Sequence, residues 1–424
     1  MIKFLLKGLI RDRTRSLFPT LIVLAGVALT VLLFNWMNGV KNNFIQVSAK
    51  FSTGHVKIMS RAYAEEADQI PNDLALSGME SLQRELRRDF TGLIWTPRIR
   101  FGGLLDIPDE HGETRAQGPV AGLAVDLFST SSPERNILNI EKSIVRGRLP
   151  EKRGEILISD EFADKLDIQL GETATLISST MYGSMATANF TVVGTIRFGI
   201  SAMDRGAMLA DISDIQYALD MQDTVGEMLG FFDDFLYYDD KAEKITAAFN
   251  THYMKTDDEF SPMMITLRSQ NGLGEYFDMV SSISSAGLSI FVMAMSIVLW
   301  NAGLMGNLRR YGEIGVRLAI GEDKGHIYRS MIAESLMVGC IGSILGTALG
   351  LAISYYLQVK GINISYLMKN ASMMVSDVWR AQVTPTSYVI GFIPGLLATL
   401  LGTSISGIGI YKRQTSILMK ELET

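Results

Sequence analysis

Few residues in this chain are of types that do chemistry, and their spacing does not gather them into a site. The four histidines, His55, His111, His252 and His326, occur singly. A zinc site draws its ligands from Cys/His pairs a few residues apart, so each histidine here reads as a surface or strand residue. Carboxylates form a cluster where Asp233, Asp234, Asp239 and Asp240 surround Phe235, Tyr237 and Tyr238. A calcium loop needs regularly spaced oxygen ligands and a terminal glutamate. The cluster reads instead as a solvated loop beside a short strand. The single cysteine, Cys340, lies in an apolar run, and no intrachain disulfide can form. No G-x-x-x-x-G-K-[ST] sequence occurs, so the chain lacks the loop whose backbone amides cradle nucleotide phosphates. No catalytic, cofactor-binding or metal-ligating set is expected, and no nucleic-acid partner.

The elements that could position a site are mostly membrane spans. The chain has 424 residues, 47% of them hydrophobic, and a mean hydropathy of +0.20. That mixture suggests spans plus a water-soluble domain of ordinary size. The first apolar run, Leu17–Gly39, carries no charge and as a helix would extend roughly 34 Å, enough for a ~30 Å hydrocarbon core. It is too long for the apolar region of a signal peptide, and Phe34, Asn35 and Trp36 stand where small cleavage-site residues belong. Further runs lie at 280–305, 331–357 and 384–411, the third interrupted only by Glu334 near its start. The expected fold class is therefore a membrane protein with four transmembrane helices and a large α+β extracytoplasmic domain, 40–279, between the first two.

Orientation follows from the basic residues. Lys3, Lys7, Arg11, Arg13 and Arg15 precede the first span, Arg309, Arg310, Arg317, Lys324 and Arg329 follow the second, and Lys412, Arg413 and Lys420 follow the fourth. The short outer loop 358–383 has only Lys360, Lys369 and Arg380. Lys/Arg enrichment marks the cytoplasmic side, so both termini, the 306–330 loop and the 412–424 tail are expected inside. Residues 1–16 place Phe4, Leu5 and Leu9 on one helical face amid basic residues, which suits either an amphipathic helix in the membrane interface or a solvated basic tail.

Within the insertion, His55–Met59 and Phe190–Ile196 alternate as strands, while Gly78–Phe90 and Asp240–Met254 read as amphipathic helices. Turn signals such as Pro108-Asp109, Gly147 with Pro150, and Gly183 divide the rest, giving an expected α+β domain of two lobes. In the cytoplasmic loop, Glu313 and Arg317 lie four apart and can meet on one helix face while Ile314 and Leu318 face elsewhere; Gly321 then permits a turn. Such a segment suits either a groove on a partner or a solvated linker held near anionic lipid by its arginines. Composition alone does not choose.

The run Arg310–Gly321, RYGEIGVRLAIG, resembles the R-x-x-E-I-G-[IV]-R-x-A-[IL]-G signature of FtsX-like ABC permeases, a superfamily that includes the MacB exporters and the LolC and LolE lipoprotein-releasing subunits. Gly122–Asp126, IVRGRL at 144–149, GEILISD at 154–160, Ala163–Leu166, Gly171-Glu172 and FTVVG at 190–194 are similar, in order, to the family's extracytoplasmic domain. Glu172 stands where that pattern has Asp. The resemblance implies a type VII permease that works as a dimer, with a second copy or a paralogue, on two cytoplasmic ATPase subunits that hold the ATP and Mg. It also implies first and second spans that extend outward as a stalk. By transfer, Arg310, Glu313, Ile314, Arg317, Ala319, Ile320 and Gly321 would form the contact with the ATPase.

In the third span, Gly339, Gly342, Gly346 and Gly350 recur at three- and four-residue spacing, which lets helices approach closely in lipid. Pro394-Gly395 should bend the fourth, because proline lacks the amide donor. The expected function is the permease of an ABC system in a bacterial inner membrane, with its large domain in the periplasm. Extraction of lipoproteins toward a periplasmic carrier stands first. MacB-type efflux of peptides, toxins or drugs with an adaptor, and FtsX-like signalling to peptidoglycan hydrolases, are the alternatives.

Overall fold

The computed structural model describes residues 13–129, 132–255, 257–270, 272–308, 311–363, 374 and 378–412. The N-terminal segment expected to lie in the membrane interface falls outside them through residue 12, and Arg13–Ser16 already belong to the first long helix. The chain divides into two units. One comprises Met1–Asn43, Asp278–Ile362 and Trp379–Thr424, and the other Phe44–Phe277 with Asn363–Val378.

Among the described residues, four helices are long and apolar enough to cross a membrane, most of their length in the first unit. α1 spans Arg13–Ser48. In the soluble unit α2 spans Met79–Asp89 and α3 spans Asp239–Tyr253. α4 spans Leu273–Leu308, α5 Tyr311–Ala319, α6 Lys324–Lys360 and α7 Thr399–Lys412. At about 1.5 Å per residue, α1 and α4 each reach about 54 Å, well beyond a ~30 Å hydrocarbon core. α6 begins at Lys324 rather than 331, because the Asp323 side chain accepts from the amides of Gly325 and His326 and caps the helix there. The fourth span is not one α-helix. A 3-10 turn at Pro385–Tyr388 and a π segment at Ile393–Ala398 precede α7, consistent with the missing donor of Pro394.

The soluble unit is built on one sheet of β1 (Val56–Ser60), β2 (Leu93–Pro108), β3 (Thr114–Val125), β4 (Ile144–Gly147), β5 (Glu155–Ser159), β6 (Thr173–Ser179), β7 (Met185–Ile196), β8 (Ala207–Asp211), β9 (Glu227–Phe232) and β10 (Pro262–Thr266). Their order is β10-β1-β9-β2-β3-β8-β5-β7-β4, with β6 bridging β2 and β7. The pairs β3–β8 and β5–β7 are parallel. Two of its hydrophobic clusters lie along different stretches of the sheet. In one, α2 and α3 pack Leu82, Leu86 and Phe249 against Val56, Ile58 and Trp95. In the other, Phe101, Ile156, Phe162, Phe190 and Met208 interlock. The long strand β2 belongs to both, pairing β9 as far as Arg98 and β3 from Ile99 onward.

The outer loop 358–383 is more than a linker. Met374 donates its amide to the Arg197 carbonyl at 2.9 Å and is buried among Leu127, Leu138 and Phe198. The soluble unit is therefore discontinuous in sequence.

Candidate functional site

The segment singled out by its residue pattern folds as α5 and its exit turn. Ile314 and Leu318, four apart, turn toward Ile327 and Met331 at the start of α6, and Ile314 is only 3% exposed. The helix ends as glycine permits. The amide of Glu322 donates to the Arg317 carbonyl and that of Gly321 to Leu318, both at 3.1 Å, with Gly321 at φ +99°. This pair of bonds is the Schellman closure, which needs a left-handed residue at the Gly321 position. The turn brings Arg317 and Glu322 together: Nε meets Oε2 at 2.6 Å and Nη2 meets Oε1 at 2.7 Å. The guanidinium beside it holds the Glu322 carboxyl below the usual carboxylate range.

Arg317 thus gives its fork to Glu322. Arg310 and the side chain of Glu313 lie outside the described residues. Ile314 was expected at the partner contact, but it is spent inside, fixing α5 to α6. Among the described side chains of this segment, Val316 and Ala319 are exposed, and Ile320 is 82% exposed at the tip. A rigid helix with internal packing, an internally paired arginine and a bare apolar tip is suited to a groove on another chain.

The glycines of α6 line two helix contacts. A Cβ at Gly342 would meet Val23 Cγ1 at 2.6 Å, at Gly346 the Leu24 carbonyl oxygen at 2.6 Å, and at Gly350 the Ala28 carbonyl oxygen at 2.9 Å, all on α1. At Gly339 it would meet Thr399 Oγ1 of the fourth span at 2.8 Å. α6 is thus the hub between α1 and α7. Sequence reading missed the polar tie beyond this seam. Asn35 on α1, wholly buried, donates to Ser354 Oγ at 2.9 Å and accepts from Ser387 Oγ.

Among the described residues no three His, Cys, Asp or Glu side chains gather so as to hold a metal ion. His55 is buried and its Nδ1 accepts from the Phe232 amide at 3.0 Å. Asp234 and Asp239 are each occupied by a tyrosine hydroxyl, from Tyr238 at 2.8 Å and Tyr237 at 2.7 Å.

With this geometry in place, the family is defined by two models. The MacB-like periplasmic core domain matches residues 16–247, and the FtsX-like permease C-terminal domain matches residues 285–415. The first covers more than half of the chain, which belongs to the family of membrane proteins that carry a MacB-like periplasmic core domain. The lipoprotein-releasing system transmembrane protein LolC of Xylella fastidiosa (strain Temecula1) is 23% identical over 265 residues, 60% of this chain and 60% of that protein. The macrolide export ATP-binding/permease protein MacB of Hyphomonas neptunium is 30% identical over 118 residues, 28% of this chain and 17% of that one. The pyoverdine export ATP-binding/permease protein PvdT of Pseudomonas aeruginosa is 31% identical over 118 residues, with the same coverage. The chain therefore matches less than two thirds of the length of each. The crystal structure of the periplasmic region of MacB from Actinobacillus actinomycetemcomitans covers 52% of this chain and 92% of its own at 10% identity, with a TM-score of 0.35, too low to argue from.

Proposed function

We propose that this chain is the permease subunit of an ABC transporter in a bacterial inner membrane, moved by ATP hydrolysis in separate cytoplasmic ATPase subunits. The observation that carries the proposal is the α5 tip: Val316, Ala319 and Ile320 stand exposed on a helix that is rigidly closed by Arg317–Glu322. A solvated linker gains nothing from an apolar tip, whereas a docked one buries it at roughly 25 cal/mol per Å². α5 and its turn transmit the ATPase movement, and the large domain acts on substrate in the periplasm. Lipoprotein extraction is the substrate reading we favour, because the likeness to LolC runs over most of both chains. Efflux through an adaptor is the second reading, supported by the higher identity to the exporters over a shorter stretch.

The test separates internal pairing from partner contact. Arg317→Glu places a carboxylate against Glu322 and should weaken ATPase co-purification at least tenfold. The swap Arg317→Glu with Glu322→Arg restores the internal pair and should recover most of it, while Ile320→Glu should abolish docking with α5 intact. Full co-purification of Ile320→Glu would show that the tip is not the contact.

A further inference from the structure

Arg98 is a large side chain with only 1% exposure, and every arm of its guanidinium is used. Nε and Nη2 fork the wholly buried Glu134 at 2.7 and 2.9 Å, and Nη1 donates to the backbone carbonyl of Lys50. Thr96 donates its hydroxyl to the same Glu134 carboxylate, and the Phe231 ring lies 6.0 Å from the guanidinium carbon. These partners come from three places. Lys50 lies in the π turn Ala49–Thr53 that ends the α1 helical run. Arg98 sits where β2 leaves β9, in the lobe with α2 and α3, for β3 in the other lobe. Glu134 lies in the segment that joins β3 to β4. The surrounding core is shared in the same way: Ile45 and Ala49 from the first helical run, Leu273 and Phe277 from α4, Leu229 and Phe231 from β9, and Ile137 beside Glu134.

A buried ion pair of this kind is weak evidence for stability, since an apolar pair of the same volume often serves as well. It does fix geometry, because the planar fork bonds in one orientation. Resting on the permease reading, we propose that Arg98 is the joint that passes displacement of the two long helices to both lobes as one motion. It is a positioning residue: it ties the Lys50 carbonyl at the end of the helical run to the point where β2 passes from β9 to β3. Without it the helix root could shift beneath the lobes while they stay behind.

The test uses the full chain with Cys340→Ser, assembled with its ATPase in lipid nanodiscs. A dye is placed at Tyr182→Cys, on the exposed turn between β6 and β7, and an acceptor on the lipid headgroups. The wild type should show an energy-transfer change on adding ATP. Arg98→Lys keeps the charge and loses the fork. It should hydrolyse ATP within about twofold of wild type while the transfer change falls at least fivefold. The double variant Arg98→Met with Glu134→Met, which leaves no buried charge unpaired, should behave the same way, so the reading survives if the lysine variant fails to fold. An unchanged transfer signal in either folded variant overturns the joint alone. A wild-type signal that ignores ATP overturns the permease reading, and the joint with it.

Discussion

His55 lies wholly buried beside Phe231, Phe232 and Tyr237, and burial pulls its pKa from 6.5 down to about 4, with Asp234 pulling weakly the other way. The unfolded chain binds this proton more readily than the folded one, so folding is favoured above pH 6.5. That advantage is lost as pH falls from 6.5 to about 4, a cost of about 3 kcal/mol if the group titrates alone. The thermal midpoint of the full chain in detergent should therefore drop across that window, and His55→Gln should flatten the drop. A wild-type midpoint constant from pH 6.5 to 4 would contradict the burial argument. Carboxylates held low contribute elsewhere. Glu155, bonded by Arg148, sits at about 2, and its stabilisation is lost only as pH falls below the ordinary carboxylate range.

At the scale of elements, the α6 seam makes a sharper claim. Gly346→Leu drives a side chain into the α1 backbone, since even a Cβ would stand 2.6 Å from the Leu24 carbonyl oxygen, and overpacking of this kind costs typically 1–3 kcal/mol. Gly287→Leu on α4 is the control, where a Cβ would meet only Met37 Cε at 4.0 Å. Detergent melts should show a loss of several degrees for the first and little for the second, and equal losses would remove the seam. The seam was legible in sequence because small residues at four-residue spacing stack on one helix face. The four long helices were legible from apolar length, though not their overshoot, which is carried by mixed segments such as 40–48 that a hydropathy argument leaves outside. Arg317 stood out in the residue pattern, but its pairing with Glu322 did not. The pairing with Glu322 depends on a glycine reversing the chain, so i,i+4 logic pointed to Glu313. Arg98 and Glu134, 36 residues apart, leave no local pattern, and Met374 reaches the core of the large domain from a loop whose sequence reads as a short connection between spans.

On the proposed reading, the labour of the whole molecule is divided between chains. This one would supply the membrane helices, the large domain and an apolar-tipped helix, while a partner chain hydrolyses ATP. α4 presents Ile283, Ile290, Met293 and Ile297 outward, a face for lipid or for the second permease that the family resemblance implies. The central claim is tested most directly by phosphate release from the purified chain in nanodiscs, alone and with its ATPase. The account predicts no release by the chain alone, and release by the assembled complex that Ile320→Glu returns to the rate of the free ATPase. Hydrolysis by the chain alone, or a complex whose rate ignores Ile320→Glu, would contradict it.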